Sequence, residues 1–225
     1  MALKIKKESA LNLTLQGSIG SFSVGTGKSG QNSLEVKYFL THVGLDFESG
    51  TNEAILNHMA PVRELFDFDQ LDFNEIMQRD IDDARVSSEL IPYLLDSKSK
   101  DLVKLFPPIV VIVLPVMEQE NRPADFYPKI ESCPEEREQQ EMFITRSGNV
   151  GGEVFQFEQP IDEGEKLQHD LVRLRLNTNK TRLVIVDGQH RAMALLAIYR
   201  NLKGQWSDSK RAPFADYYAE WTASY

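Results

Sequence analysis

A single cysteine, Cys133, is the only thiol in this 225-residue chain. No internal disulfide can form, so a reducing cytoplasm is the expected compartment. Long apolar runs are missing too. The best candidate, Pro107 to Val116, is far shorter than the roughly 20 residues a membrane helix needs, and it reads as a strand. The chain starts with basic residues (Lys4, Lys6, Lys7), but no apolar stretch of the secretory kind follows, so no leader is expected. Positive charge is also scarce. Lys and Arg total 25 against 34 Asp and Glu, a net charge of −9 that argues against a surface devoted wholly to nucleic acid. A local basic patch remains open, built from Arg63, Lys98, Lys100 and Lys104 or from Arg173, Arg175, Lys180 and Arg182.

The patterns that are present predict a mixed α and β protein. Leu11-Asn12-Leu13-Thr14-Leu15 alternates with the period of a half-buried strand, and Leu34 to Val43 offers a second. Gly17, Gly20, Gly25, Gly27 and Gly30 lie between them and read as a loop. Gly27-Lys28-Ser29 matches the end of a P-loop, but Phe22 stands where that motif needs glycine, and a strand follows rather than a helix. Ala54, Ile55, Met59, Val62, Leu65 and Phe66 recur at helical spacing, and Asn74 to Arg79 and Ser87 to Leu95 suggest further short helices. Ile109 to Leu114 is continuously apolar, as in a strand covered on both faces. Residues 117–141, with Pro123, Pro128, Pro134 and many charges, read as a surface insertion. Two hairpins are predicted after it: Met142 to Thr145 with Val154 to Phe157, and Leu171 to Leu176 with Leu183 to Val186. The aromatic tail (Trp206, Phe214, Tyr217, Tyr218, Trp221, Tyr225) reads as core or as the interface of a homo-oligomer rather than as a stacking platform for bases.

The strongest local signal is an apolar strand, Leu183 to Val186, then Asp187-Gly188-Gln189-His190-Arg191, then a strong helix former from Ala192 to Tyr199. Such a junction points the free N–H groups of the helix start, and the positive end of its dipole, beyond the strand. Gly188 would let a ligand approach the backbone, and Arg191 supplies a guanidinium fork suited to phosphate. His190 could donate to phosphate or carry a proton, and Asp187 could hold a metal or fix the turn. Ordinary turn and cap chemistry would also place Asp and Gly here.

The string Val186-Asp187-Gly188-Gln189-His190-Arg191 resembles the signature of the DGQHR-domain family, which includes the DndB protein of DNA phosphorothioation and the DpdB protein of deazaguanine DNA modification. More distantly, it resembles the nucleotide-binding boxes of ParB, sulfiredoxin and the ParB-like serine kinases. Met77 to Val86, with Gln78 and Arg79, resembles an upstream segment of these proteins, and Phe106 to Val111 resembles their "Pro-Ile-Val" strand. The resemblance implies an α+β fold of ParB/sulfiredoxin type, a mixed sheet with flanking helices, over residues 51–225. A β-rich N-terminal extension over residues 1–50 would precede it. It further implies that Gln78, Arg79, Gly188, Gln189, His190 and Arg191 bind ATP or CTP. Asp187, His190 and Asp80 would carry any slow hydrolysis, and Asp187 and Asp80 would hold Mg²⁺. Expected partners are a nucleoside triphosphate, DNA and DNA-modification proteins, with no membrane. Two alternatives stand beside this: a DNA-binding regulator of the DndB kind, and a non-catalytic scaffold. Gln189 occupies the position of sulfiredoxin's nucleophilic cysteine, so thiol repair chemistry is excluded.

Overall fold

The computed structural model describes residues 10–25, 33–44, 50–65, 80–96, 105–117, 123–137, 139–162, 164 and 166–222. Its strands are β1 (Leu13–Val24), β2 (Leu34–Thr41), β3 (Met59–Pro61), β4 (Val110–Pro115), β5 (Ile130–Arg137), β6 (Gln140–Ser147), β7 (Phe155–Pro160), β8 (Val172–Leu176) and β9 (Thr181–Asp187). The helices are α1 (Gly50–His58), α2 (Val62–Leu65), α3 (Asp83–Arg85), α4 (Ile91–Leu95), α5 (Gln189–Lys203) and α6 (Ala215–Tyr218). A π-helical turn, Val86–Leu90, joins α3 to α4. The chain divides into two units: Met1–Asn52 with Ala124–Thr181, and Glu53–Pro123 with Arg182–Tyr225. No described helix is long and apolar enough to cross a membrane.

The first unit is a six-stranded sheet in the order β2-β1-β8-β7-β6-β5, with every neighbouring pair antiparallel. Alternation sorts its faces. Leu13, Leu15, Val172, Leu174 and Leu176 are buried on one face, while Thr14, Gln156, Glu158, Arg173 and Arg175 share the other. The predicted β6–β7 hairpin forms, with Thr145 opposite Phe157.

Three sequence expectations change in this unit. The glycine-containing stretch from Gly17 to Val24 is strand, paired along its length with β2. A Cβ at Gly17 would overlap the Leu40 backbone carbonyl, so close cross-strand contact, not looping, demands that glycine, while one at Gly20 would meet the movable Tyr38 ring. Within the expected insertion over residues 117–141, Ile130–Arg137 forms β5. Its charges are tolerated because it is an edge strand, and that position also accommodates Pro134. Finally, β8 pairs with β1 and β7 rather than with β9. β8 alternates polar and apolar side chains, as a sheet with one polar face requires. Leu183, Val184 and Ile185 of β9 are consecutively buried and suit a strand covered on both sides.

The second unit holds the three-stranded sheet β3-β9-β4, in which β3 runs parallel to β9. The expected continuous helical pattern from Ala54 to Phe66 is interrupted here, because Met59–Pro61 leaves α1 to pair with β9. β4 forms where predicted, but at an edge, so Val110, Val111 and Ile112 are exposed rather than enclosed. α5 buries Ala192, Met193, Ala194, Leu196, Ala197, Ile198 and Tyr199, which accounts for its near-continuous apolar sequence.

Two buried ion pairs start from adjacent residues of α2. Arg200 of α5 donates to both oxygens of Glu64 at 2.9 and 2.6 Å, and Arg63 donates to both oxygens of Asp83 at 2.7 Å. Arg211 reaches the same Glu64 carboxylate at 3.5 Å. Aromatic rings seal both pairs: Phe214 lies 3.6 Å from the Arg63 guanidinium, and Trp206 lies 5.3 Å from that of Arg200. Tyr218 stacks on Trp206 and donates its hydroxyl to Asp83. Burial opposes the charge on Arg63, but the Asp83 carboxylate outweighs it and raises the guanidinium above its ordinary pKa. The tail aromatics Trp206, Phe214, Tyr218 and Trp221 thus sit inside or against this cluster, Trp221 donating to Ser87.

Replacing one partner of such a pair leaves the other charge buried and unpaired. Glu64→Gln is expected to cost about 3 kcal/mol in urea denaturation. Glu53→Gln, which loses a half-exposed 3.6 Å charge contact with Lys203 but keeps an oxygen to accept from the Tyr199 hydroxyl, should cost under about 0.5 kcal/mol.

His58, which closes α1, is held neutral by burial and, secondly, by the nearby Arg182 charge, which together depress its pKa to about 4. The folded state resists protonating it, so this stability is complete above the unfolded value near 6.5 and declines as pH falls toward 4. Comparing urea midpoints at pH 7 and 4.5, His58→Asn should lose less stability than the parent, by on the order of 2 kcal/mol.

Candidate functional site

β9 carries the chain to Asp187, Gly188 turns it, and α5 begins at Gln189. Gly188 has φ +75 and ψ 27, the left-handed conformation that a Cβ disfavours. Among the described residues no side chain caps the start of α5, and the first helical bond here runs from the Ala192 N–H to the Gly188 carbonyl. The N–H groups of Gln189, His190 and Arg191 therefore lie at an uncapped helix start, at the positive end of a fifteen-residue dipole.

Arg191 does not extend away from this turn. Its guanidinium folds back over Gly188, where a Cβ would stand 2.7 Å from Nη2. Nη2 donates to the Pro108 carbonyl at 3.1 Å and lies 4.0 Å from the Asp187 carboxylate. Asp187 is 76% exposed, so that ion pair is long, solvated and weak. Arg191 Nε is buried with no hydrogen-bond partner among the described residues. The guanidinium is thus positioned by the Pro-Pro segment before β4, with donor capacity still unspent.

His190 plays a part its sequence did not reveal. Its Nε2 accepts the Asp82 backbone N–H at 3.1 Å, while the Asp82 side chain accepts from the Arg85 N–H to cap α3. A neutral ring whose Nε2 accepts carries its proton on Nδ1, so Nδ1 is the atom left to donate. The same bond ties the segment that begins with the exposed Asp80 and the buried Ile81 to the start of α5. Gln78 and Arg79 lie outside the described residues. Among the described residues, no three His, Cys, Asp or Glu side chains stand together as a metal cage. Asp187, exposed at the strand end, suits the one or two carboxylates with which Mg²⁺ usually joins substrate phosphates.

Compared with family models, curated proteins and solved structures, the chain matches none.

The expected basic patches resolve differently. Arg63 is bound in its buried pair with Asp83, and Lys98, Lys100 and Lys104 lie outside the described residues, as does the Gly27-Lys28-Ser29 segment. Arg182 is half-buried in the second unit, and burial lowers its pKa. Arg173 and Arg175 gather with a third arginine, Arg137, around Glu158, a grouping hidden in sequence because Arg137 and Glu158 come from other strands. Their spacing along β8 gave a partial signal. The Cys133 thiol is pushed up in pKa by its hydrogen bond to Glu135 and then by desolvation, which agrees with an inert side chain.

Gly188→Ala should destabilise the protein by about 1–2 kcal/mol through backbone strain alone, because the crowded Arg191 tip can swing aside. Thermal melts would register it as a drop of several degrees. An unchanged melting temperature would mean the turn can relax out of its left-handed conformation.

Proposed function

We propose that this chain is a nucleotide-binding protein of the DGQHR kind, serving a bacterial DNA-modification or phage-defence system. In this reading residues 51–225 make up its ParB/sulfiredoxin-like domain, and the elbow between β9 and α5 receives the phosphates of ATP or CTP. One observation carries it: an uncapped helix start, a left-handed glycine and an arginine with a buried, unpartnered Nε meet at a single turn. Each of these features favours an anion with several oxygens, since amide N–H groups and a guanidinium both donate and neither accepts. The motif and the order of its neighbouring segments along the sequence supply the family part of the proposal.

In that complex the N–H groups of Gln189 to Arg191 would hold phosphate oxygens, and His190 would add a donor from Nδ1. By the family resemblance, Gln78 and Arg79 would bind the same nucleotide. Asp187, with Asp80 nearby in the chain's approach to His190, would hold Mg²⁺, which neutralises phosphate charge when bound. Slow hydrolysis needs little beyond this positioning, with a carboxylate to orient water.

Calorimetry with ATP and CTP, with and without Mg²⁺, tests the reading. Metal-dependent binding that Arg191→Ala weakens at least tenfold, with an unchanged circular dichroism spectrum, is the expected result. No heat from any nucleoside triphosphate on folded protein would remove it. A salt-sensitive gel shift without nucleotide binding would select the DNA-binding regulator instead. If Arg191→Ala only lowers stability, the box is scaffolding.

A further inference from the structure

β2 is an outer strand of the six-stranded sheet, and among the described residues no strand pairs with its free side. An open edge offers backbone N–H and C=O groups to another strand, and proteins blunt it with charge, proline or a bulge. β5, the edge strand at the other end, is blunted in this way by Pro134 and by Glu131, Glu135, Glu136 and Arg137. β2 is not. It runs for eight residues, holds no proline, and carries only Glu35 and Lys37 as charges.

The register with β1 gathers apolar side chains on one face of this edge. Phe22 stands opposite Val36 and Val24 opposite Leu34, and Tyr38 and Leu40 follow on the same face. Phe22, Val24, Leu34, Tyr38 and Leu40 are 44–68% exposed, and the Phe22 and Tyr38 rings meet at 6.2 Å. The opposite face of β2 carries Glu35 and Lys37, both exposed and neither in an ion pair among the described residues. A strand added alongside would satisfy the open backbone edge and cover the apolar face together.

The geometry points to a second copy of this chain as the occupant: two copies pair β2 with β2, antiparallel about a two-fold axis at Val36, into one continuous sheet. A two-fold axis makes the surface its own complement, and the residue on the axis decides which charges meet. Centred on Val36, Glu35 lies opposite the partner's Lys37 and Lys37 opposite the partner's Glu35, while Leu34 lies opposite the partner's Tyr38. Centred one residue to either side, Glu35 or Lys37 meets its own like charge. Centred on Tyr38, Lys37 faces the partner's Phe39 and Glu35 the partner's Thr41, so neither charge is paired. The order Leu34-Glu35-Val36-Lys37-Tyr38 is thus complementary to its own reverse, which selects both the occupant and the register. Opposite charges close one face of the ladder, and apolar side chains of both copies close the other.

The test is sedimentation equilibrium on the full chain, without nucleotide. The parent should fit a monomer–dimer equilibrium that ends at twice the 25.6 kDa chain mass. Glu35→Lys and Lys37→Glu each set like charges across the axis, and each should weaken the dimer at least tenfold with an unchanged circular dichroism spectrum. Mixing these two variants should restore a dimer, because every lysine then faces a glutamate. The double variant Glu35→Lys/Lys37→Glu should dimerise alone for the same reason. A monomer at every concentration, a dimer indifferent to both single variants, or a mixture that fails to recover would each overturn the assignment. A monomer that co-sediments with phosphatidylcholine vesicles would give the apolar face to a membrane instead, and a mass that climbs past the dimer would replace the closed pair with open-ended association. Nucleotide binding at the elbow does not enter these measurements, so the two proposals fail separately.

Discussion

The Glu64 carboxylate is the constraint on which the second unit depends. It is buried, and Arg200 and Arg211 are the cations that answer it. Its sequence neighbour Arg63 makes the reciprocal bond to Asp83, so two adjacent residues of a four-residue helix send opposite charges to α3 and α5. Desolvation of such charges is offset only by close geometry and by the exclusion of water. Phe214, Trp206 and Tyr218 provide that exclusion. Because α5 is anchored through Arg200 near one end, its rotation is fixed along its length. The direction of the amide groups at its other end follows from that anchor.

The elbow and the arginine cluster of the first unit are built differently. At the elbow, donors come mostly from backbone, are oriented by the helix, and need only a glycine and an arginine from the sequence. On the sheet, Arg137, Arg173 and Arg175 gather through their side chains around the buried Glu158 carboxylate. The first kind of site is compact and written in consecutive residues. The second is assembled from strands that meet only after folding.

That difference explains what the sequence disclosed. The elbow was legible because strand, turn and helix follow one another within residues 183–199. The β6–β7 hairpin was legible because alternation on both sides of a turn is a local pattern. Glycines misled where their meaning was cross-strand: Gly17 looks like a loop residue, yet the Leu40 backbone across the sheet determines its identity. β8 and β9 looked like a hairpin because Asn177 to Lys180 does form a turn, but the turn delivers the chain to a different sheet. His190 illustrates the same limit. Nothing in residues 187–191 announces that its ring meets the backbone of Asp82, a hundred residues earlier. Tail aromatics were read as core from composition, whereas their role in shielding buried charge needed coordinates.

β9, the middle strand of its sheet, stands late in the chain, while its parallel neighbour β3 stands early, with Met59 opposite Leu183. On the ribosome this imposes an order. A nascent chain that has emerged to Leu176 already contains every strand of the six-stranded sheet, in which four of the pairs join consecutive strands and only β1 with β8 closes over a long stretch of chain. The other sheet must wait, with β3 and β4 lacking the strand that joins them, until residues 181–187 appear. The buried carboxylate of Glu64 waits longer still, for Arg200 and Arg211. During synthesis the second unit therefore passes through an interval in which apolar and charged groups meant for its interior face solvent, the stage at which a chaperone would find it.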